Sequence, residues 1–158
     1  MQPPSRLDLD LALCDRPFAP YPLLAQWSGG DWAAEAHFIG RMRGVGERGQ
    51  DLQALEVEHY PGMTERMLEA LAREEAARCG ARRILLRHCV GQVAPGEAIV
   101  LLAVAAERRG QAIETCRRLL ERLKHDAPFW KKEVGPAGQH WVRTNSGYEP
   151  SSGPLAPL

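Results

Sequence analysis

The sequence predicts an α+β fold, a mainly antiparallel sheet with helices on one side. Three observations carry that reading. Segments of two-residue hydrophobic period alternate with segments of helical period, in the order β-α-β-β-α-β-β-α-β. Residues 98–105 are almost wholly apolar, which suits a strand covered on both faces. The turn chemistry of Ala94-Pro-Gly-Glu97 joins that run to residues 82–90, so the two form an antiparallel hairpin.

Each element has its own local reason. Residues 6–14 alternate Leu7, Leu9, Leu11 and Leu13 with Asp8, Asp10 and Ala12, a half-buried strand with an acidic outer face. Pro17, Pro20 and Pro22 punctuate a link to a short helical piece at 23–27, which Ser28-Gly-Gly-Asp31 ends. Residues 33–43 make the next strand and finish in Arg41-Met-Arg43. Three glycines within 44–50 predict a mobile loop. Residues 52–60 return as a strand, with Leu55, Val57 and His59 on one face and Glu56, Glu58 and Tyr60 on the other; His59 reads as structural. Pro61-Gly62 turns the chain into a helix over 63–79, capped by Gly80. After the hairpin, Ala112, Ile113, Cys116, Leu119, Leu120, Leu123 and Ala127 form the apolar stripe of a third helix, stopped by Pro128. Residues 130–133 are a strand, and 139–143 are a candidate last one. Residues 1–143 thus make one domain, and 144–158, rich in Ser, Gly and Pro, read as a flexible tail.

Composition excludes several classes of function. The chain has 158 residues, and 20 basic residues balance 20 acidic ones, so no global field draws in nucleic acid or membrane. Cys14, Cys79, Cys89 and Cys116 are widely spaced, with no Cys-x-x-Cys pair, which argues against a disulfide framework or zinc site; Cys116 in the apolar stripe and Cys14 and Cys89 in strands read as small buried thiols. There is no phosphate-binding glycine loop, dinucleotide fingerprint or metal-ligand cluster, so no cofactor is expected. With no signal core or membrane-length run, the expected location is cytoplasmic.

The chemistry concentrates where the third helix ends. Lys124 falls just outside the apolar stripe, so its stem can lie on the core while its ammonium reaches a cleft. Beyond Pro128, Phe129 and Trp130 anchor the exit and hold Lys131 near the same cleft. On the residues alone, this is either an anion and proton-transfer site or a pair of solvated surface lysines. The basic strip with interleaved aromatics is also open to a single-stranded nucleic-acid reading.

The whole segment Leu123-Lys-His-Asp-Ala-Pro-Phe-Trp-Lys-Lys-Glu133 resembles the signature of the large, catalytic subunit of molybdopterin synthase. Three further stretches match in order: Phe38-Ile-Gly-Arg-Met-Arg43, Leu55-Glu-Val-Glu-His-Tyr-Pro-Gly-Met63, and His88-Cys-Val-Gly-Gln-Val-Ala-Pro-Gly-Glu97. The resemblance spans roughly residues 7–143. It implies an α/β hammerhead elaboration of the fold, a homodimer, and a partner: a small ubiquitin-like sulfur carrier ending in a Gly-Gly thiocarboxylate. It also implies a substrate, cyclic pyranopterin monophosphate, which receives two sulfurs as the dithiolene of molybdopterin.

By position, Lys124 and Lys131 match the family's two functional lysines. Arg43, Arg108, Arg109, Lys132 and Glu133 match positions lining the substrate pocket, with Arg41 and Met42 beside them. Arginine forks suit phosphate, and a lysine crowded by cations loses its proton more readily. Two departures stand out. Gly44-Val-Gly46 replaces the family's usual Asn-His-Asn, and Arg108 replaces a usual histidine. They leave open a non-catalytic paralogue that keeps the carrier-binding fold.

Overall fold

The structure, a computed structural model, describes residues 6–142; the 144–158 tail and Arg143 lie outside the described residues. Its elements are β1 (Asp8–Cys14), α1 (Pro20–Trp27), β2 (Ala34–Arg41), β3 (Ala54–His59), α2 (Met63–Cys79), β4 (Arg83–Cys89), β5 (Gly91–Val93), β6 (Ala98–Ala106), α3 (Arg109–His125), β7 (Phe129–Gly135) and β8 (Gly138–Trp141). The strands divide into two four-stranded sheets, ordered β1-β4-β6-β2 and β5-β3-β7-β8. Among the described ladders only β1–β4 is parallel.

The apolar run becomes β6, sandwiched as its composition requires. On one face, Leu102 and Val104 join Ile84 and Leu86 of β4 against Leu68, Leu71 and Ala72 of α2 and Cys116, Leu119 and Leu123 of α3. On the other, Leu101, Ala103 and Ala105 pack under Leu24 and Trp27 of α1. The two long helices share one side, and the short α1 covers the opposite one. Its first turn contains Pro20 and Pro22, residues that read as linker in the sequence. A helix's first N–H groups lack intrahelical partners anyway, so proline is tolerated there.

Helix α2 ends at Gly80, whose φ of +88° fits a glycine cap. Between α2 and α3, the buried carboxylate of Glu75 accepts from Arg118 Nε (2.6 Å) and Arg122 Nη1 (3.3 Å). Burial alone would raise its pKa, but the two guanidiniums reverse that and hold it below the usual carboxylate range.

The second sheet supplies a separate core around Met42, Leu55, Val57, Cys89 and Val93. The chain passes from the first sheet into the second at Val90, between β4 and β5. That three-residue strand has no sequence signal of its own. Residues 44–50, where three glycines predict a loop, form a turn closed by backbone hydrogen bonds. Gly46 N donates to Gln50 O (2.8 Å), Leu52 N donates to Gly44 O (2.9 Å), and Val45 bridges Asp51.

Candidate active site

Three elements converge on one cavity of about 210 Å³: the inner end of the first sheet, the C-terminal turn of α3, and the start of β7. Its floor is Phe38 and Gly40 of β2 with Val100 of β6. A Cβ on Gly40 would stand 2.8 Å from Val100 Cγ1 and 3.2 Å from Phe38, so only glycine leaves the floor open. Just beyond Gly40 the β2–β6 register slips by one residue. Such an irregularity re-aims the strand end, and Arg41 and Arg43 both reach the cavity wall. Arg41 Nη1 also donates to Gly96 O at 3.2 Å.

The lysines arrive from the other side. Helix α3 buries Leu119 and Leu123, which leaves Lys124 exposed at the rim, while Leu120 and Leu123 line the wall. In β7, alternation turns Phe129, Lys131 and Glu133 inward and Trp130 and Lys132 outward. Lys131 enters the cavity, where burial, and then the charge of Lys124, push its pKa below the ordinary lysine value. Four cations line this cavity and, among the described residues, no carboxylate does. Such a wall suits an anion, and burial and the Lys124 charge shift Lys131 toward its neutral amine.

Five of the nine candidate residues lie outside the cavity of a single chain. Met42 is 4% exposed and belongs to the core of the second sheet. Lys132 points to the opposite face of β7, where its Nζ pairs with Glu56 at 2.8 Å and sits 5.3 Å from the Trp141 ring. Glu133 is turned inward but away from the lysines. Its carboxylate accepts from Glu47 N (3.2 and 3.3 Å) and Gln50 Nε2 (3.3 Å), tying the 44–50 hairpin to β7. Arg108 and Arg109 are exposed at the start of α3. At 1.5 Å per residue, Arg109 is about 22 Å from Lys124. The cation that acts on a cavity lysine within one chain is instead Lys124, whose charge, after burial, lowers the pKa of Lys131.

The role of Glu133 is testable apart from chemistry. Glu133→Gln keeps the shape but weakens its charge-assisted bonds, so the Glu47 amide should exchange with solvent roughly tenfold faster while β6 amides are unchanged. Hydrogen exchange followed by NMR measures both.

His88 joins the cavity without having been among the nine candidate residues. It follows Ile84 and Leu86 on the helix-facing side of β4, is 6% exposed and lines the cavity. A histidine continuing an apolar face was the available signal, since a buried polar group needs a partner. Its ring stacks on Phe129, with centroids 4.0 Å apart and 11° between planes, and its Nδ1 lies 2.7 Å from Cys89 O. Burial, and next the Cys89 bond opposed by Lys131, leave its pKa lowered to about 4.

An α+β scaffold that gathers two lysines and two arginines around one otherwise largely apolar cavity is suited to an enzyme that acts on an anionic substrate. A family model described as MoaE protein matches residues 14–126, and the chain belongs to that family. A Caulobacter vibrioides protein named molybdopterin synthase catalytic subunit is 42% identical over 134 residues, 84% of this chain and 87% of that one. The Escherichia coli protein of the same name is 37% identical over 122 residues, 77% and 79% of the two chains. A solved structure of the molybdopterin biosynthesis MoaE protein from Burkholderia ambifaria superposes with a TM-score of 0.70 at 33% identity, covering 89% of this chain and 94% of that one.

Proposed function

We propose that this chain is the catalytic subunit of a molybdopterin synthase. It transfers sulfur from the thiocarboxylate of a small ubiquitin-like carrier to cyclic pyranopterin monophosphate, building the dithiolene of molybdopterin. The observation that carries the reading is geometric: Lys124 and Lys131, both on the sequence signature itself, line one cavity with Arg41 and Arg43. In this reading the arginines hold the phosphate, and Lys131 shuttles protons as the thiocarboxylate sulfur attacks. Lys124, exposed at the rim, meets the carrier's anionic C-terminus. Sulfur and activation enter with the partner, so the buried Cys89 and Cys116 thiols, whose pKa values burial raises to about 11, are not needed as nucleophiles. Among the described residues no helix is long and apolar enough to cross a membrane, which accords with the proposed cytoplasmic location.

The substrate needs more walls than one chain offers. A cavity of about 210 Å³ is below the ≈ 300–1,000 Å³ of pockets that enclose drug-sized ligands. In the proposed homodimer, Arg108 and Arg109 of a second copy supply the missing cationic wall, which reconciles their family position with their distance from Lys124. Incubation with thiocarboxylated carrier and the pyranopterin, followed by mass spectrometry of the pterin, tests the activity. Carrier binding without dithiolene formation would favour the non-catalytic paralogue. Mixing tests the shared site: Lys131→Ala and Arg108→Ala/Arg109→Ala chains, each inactive alone, should regain about a quarter of wild-type activity when randomly dimerised. No recovery in verified mixed dimers would place both sets of residues in one chain's site or remove the arginines from it.

A further inference from the structure

The cavity has an asymmetry in its hydrogen-bonding groups. Its cationic lining, Arg41, Arg43, Lys124 and Lys131, can only donate while charged, and the remaining lining side chains apart from His88 are apolar or absent. His88 is thus the one side chain among the described lining residues that presents an acceptor while the lysines are protonated. Its tautomer follows from its partner. The Cys89 carbonyl can only accept, so Nδ1 carries the ring proton and Nε2 keeps its lone pair. No described residue hydrogen-bonds Nε2, and the ring itself lines the cavity. The stack on Phe129 and the Nδ1 bond fix the ring in orientation from two sides.

We infer that His88 is a specificity-determining residue whose Nε2 accepts a hydrogen bond from an N–H donor on the fused heterocycle of the substrate. The inference rests on the pyranopterin reading above and deepens it. The four cations select for the phosphate, and any phosphorylated compound satisfies them. His88 adds a requirement that inorganic phosphate and sugar phosphates without a correctly placed donor do not meet. The low basicity of the ring serves this role, because an imidazole that stays neutral keeps its lone pair throughout the working pH range. It argues equally against His88 as general base, a task left to Lys131.

The test is equilibrium binding of cyclic pyranopterin monophosphate and of inorganic phosphate to the full chain with its carrier, for wild type, His88→Phe and His88→Gln. Phenylalanine keeps the stack on Phe129 and removes the acceptor; the glutamine amide oxygen can restore an acceptor near the Nε2 position. His88→Phe should weaken pterin binding at least ~10-fold, leave phosphate binding within about twofold, and raise KM more than it lowers kcat, with His88→Gln recovering most of the loss. Equal pterin affinity in wild type and His88→Phe would overturn the inference, as would equal losses for both ligands. A wild type without affinity for the pterin would overturn the proposed function and this inference with it, whereas wild-type binding untouched by His88→Phe overturns the inference alone. Should His88→Phe not fold, nitrogen NMR of histidine-labelled wild type decides. The Nε2 resonance should move on adding the pterin but not on adding phosphate, and an unmoved resonance at saturation would sink the proposal.

Discussion

Replacing Lys131 by alanine should lower sulfur transfer by at least ~10²-fold, the scale of lost acid-base assistance. The amine sits in a buried, cationic setting, so a larger fraction of it is neutral near pH 7–8 than for an ordinary lysine. Lys131→Arg should fail almost as badly, because a guanidinium keeps the charge but cannot release its proton. Single-turnover rates with saturating carrier measure both variants. A Lys131→Arg enzyme near wild-type speed would show that the residue acts only as a fixed charge. Stability serves as the control. The folded pKa of Lys131 lies below its unfolded value, so in wild type this group's contribution to stability falls as pH drops from the unfolded pKa through the folded one. Below the unfolded pKa, burial makes this group a net cost to stability. Lys131→Met, which keeps the stem, should therefore melt no lower than wild type while losing activity.

Lys124→Ala should also cost at least ~10²-fold, with a different signature. The Lys124 charge is the second cause, after burial, of the depressed Lys131 pKa. Removing it lets Lys131 hold its proton to higher pH, so the rising limb of the pH–rate profile should move to alkaline values and part of the lost rate should return as pH increases. Lys131→Ala leaves no such limb to recover. Profiles of single-turnover rate from pH 6 to 10 separate the two variants (roughly the span between neutrality and an ordinary lysine pKa). A Lys124→Ala profile parallel to wild type would mean that the two lysines do not communicate.

Local signals carried much of this architecture. Helix α2 and its glycine cap, the α3 stripe and its proline stop, and the doubly covered β6 were legible because each rests on neighbours within a turn or a pleat. The division into two sheets was not, since nothing between Val90 and Gly91 announces that the next three residues pair with β3 instead of continuing β4. At the site, the segment around Lys131 was readable as a motif, but strand alternation decided which members face the cavity, sending Lys132 outward to Glu56 and Glu133 to the 44–50 hairpin. Arg108 and Arg109 show a second kind of limit. They precede the helix that carries Lys124, but nearness in sequence to a helix's start is distance from its end. His88 was hidden because its role depends on what the other side chains cannot do.

The strand pairings bear on how the chain reaches this structure. Asp8 faces Arg83, Ala34 faces Ala106, and Ala54 faces Val134, so three ladders each join residues roughly seventy to eighty positions apart. Long-range pairing of this kind requires large loops to close before any contact compensates for the lost chain entropy, and it goes with slow folding. During synthesis, β1, β2 and β3 emerge with their edges unpaired and wait for β4, β6 and β7. Helix α2 is the first long element that can form from local contacts alone. The cavity comes last: Lys131 belongs to β7, so until almost the entire described chain is available there is no site to occupy.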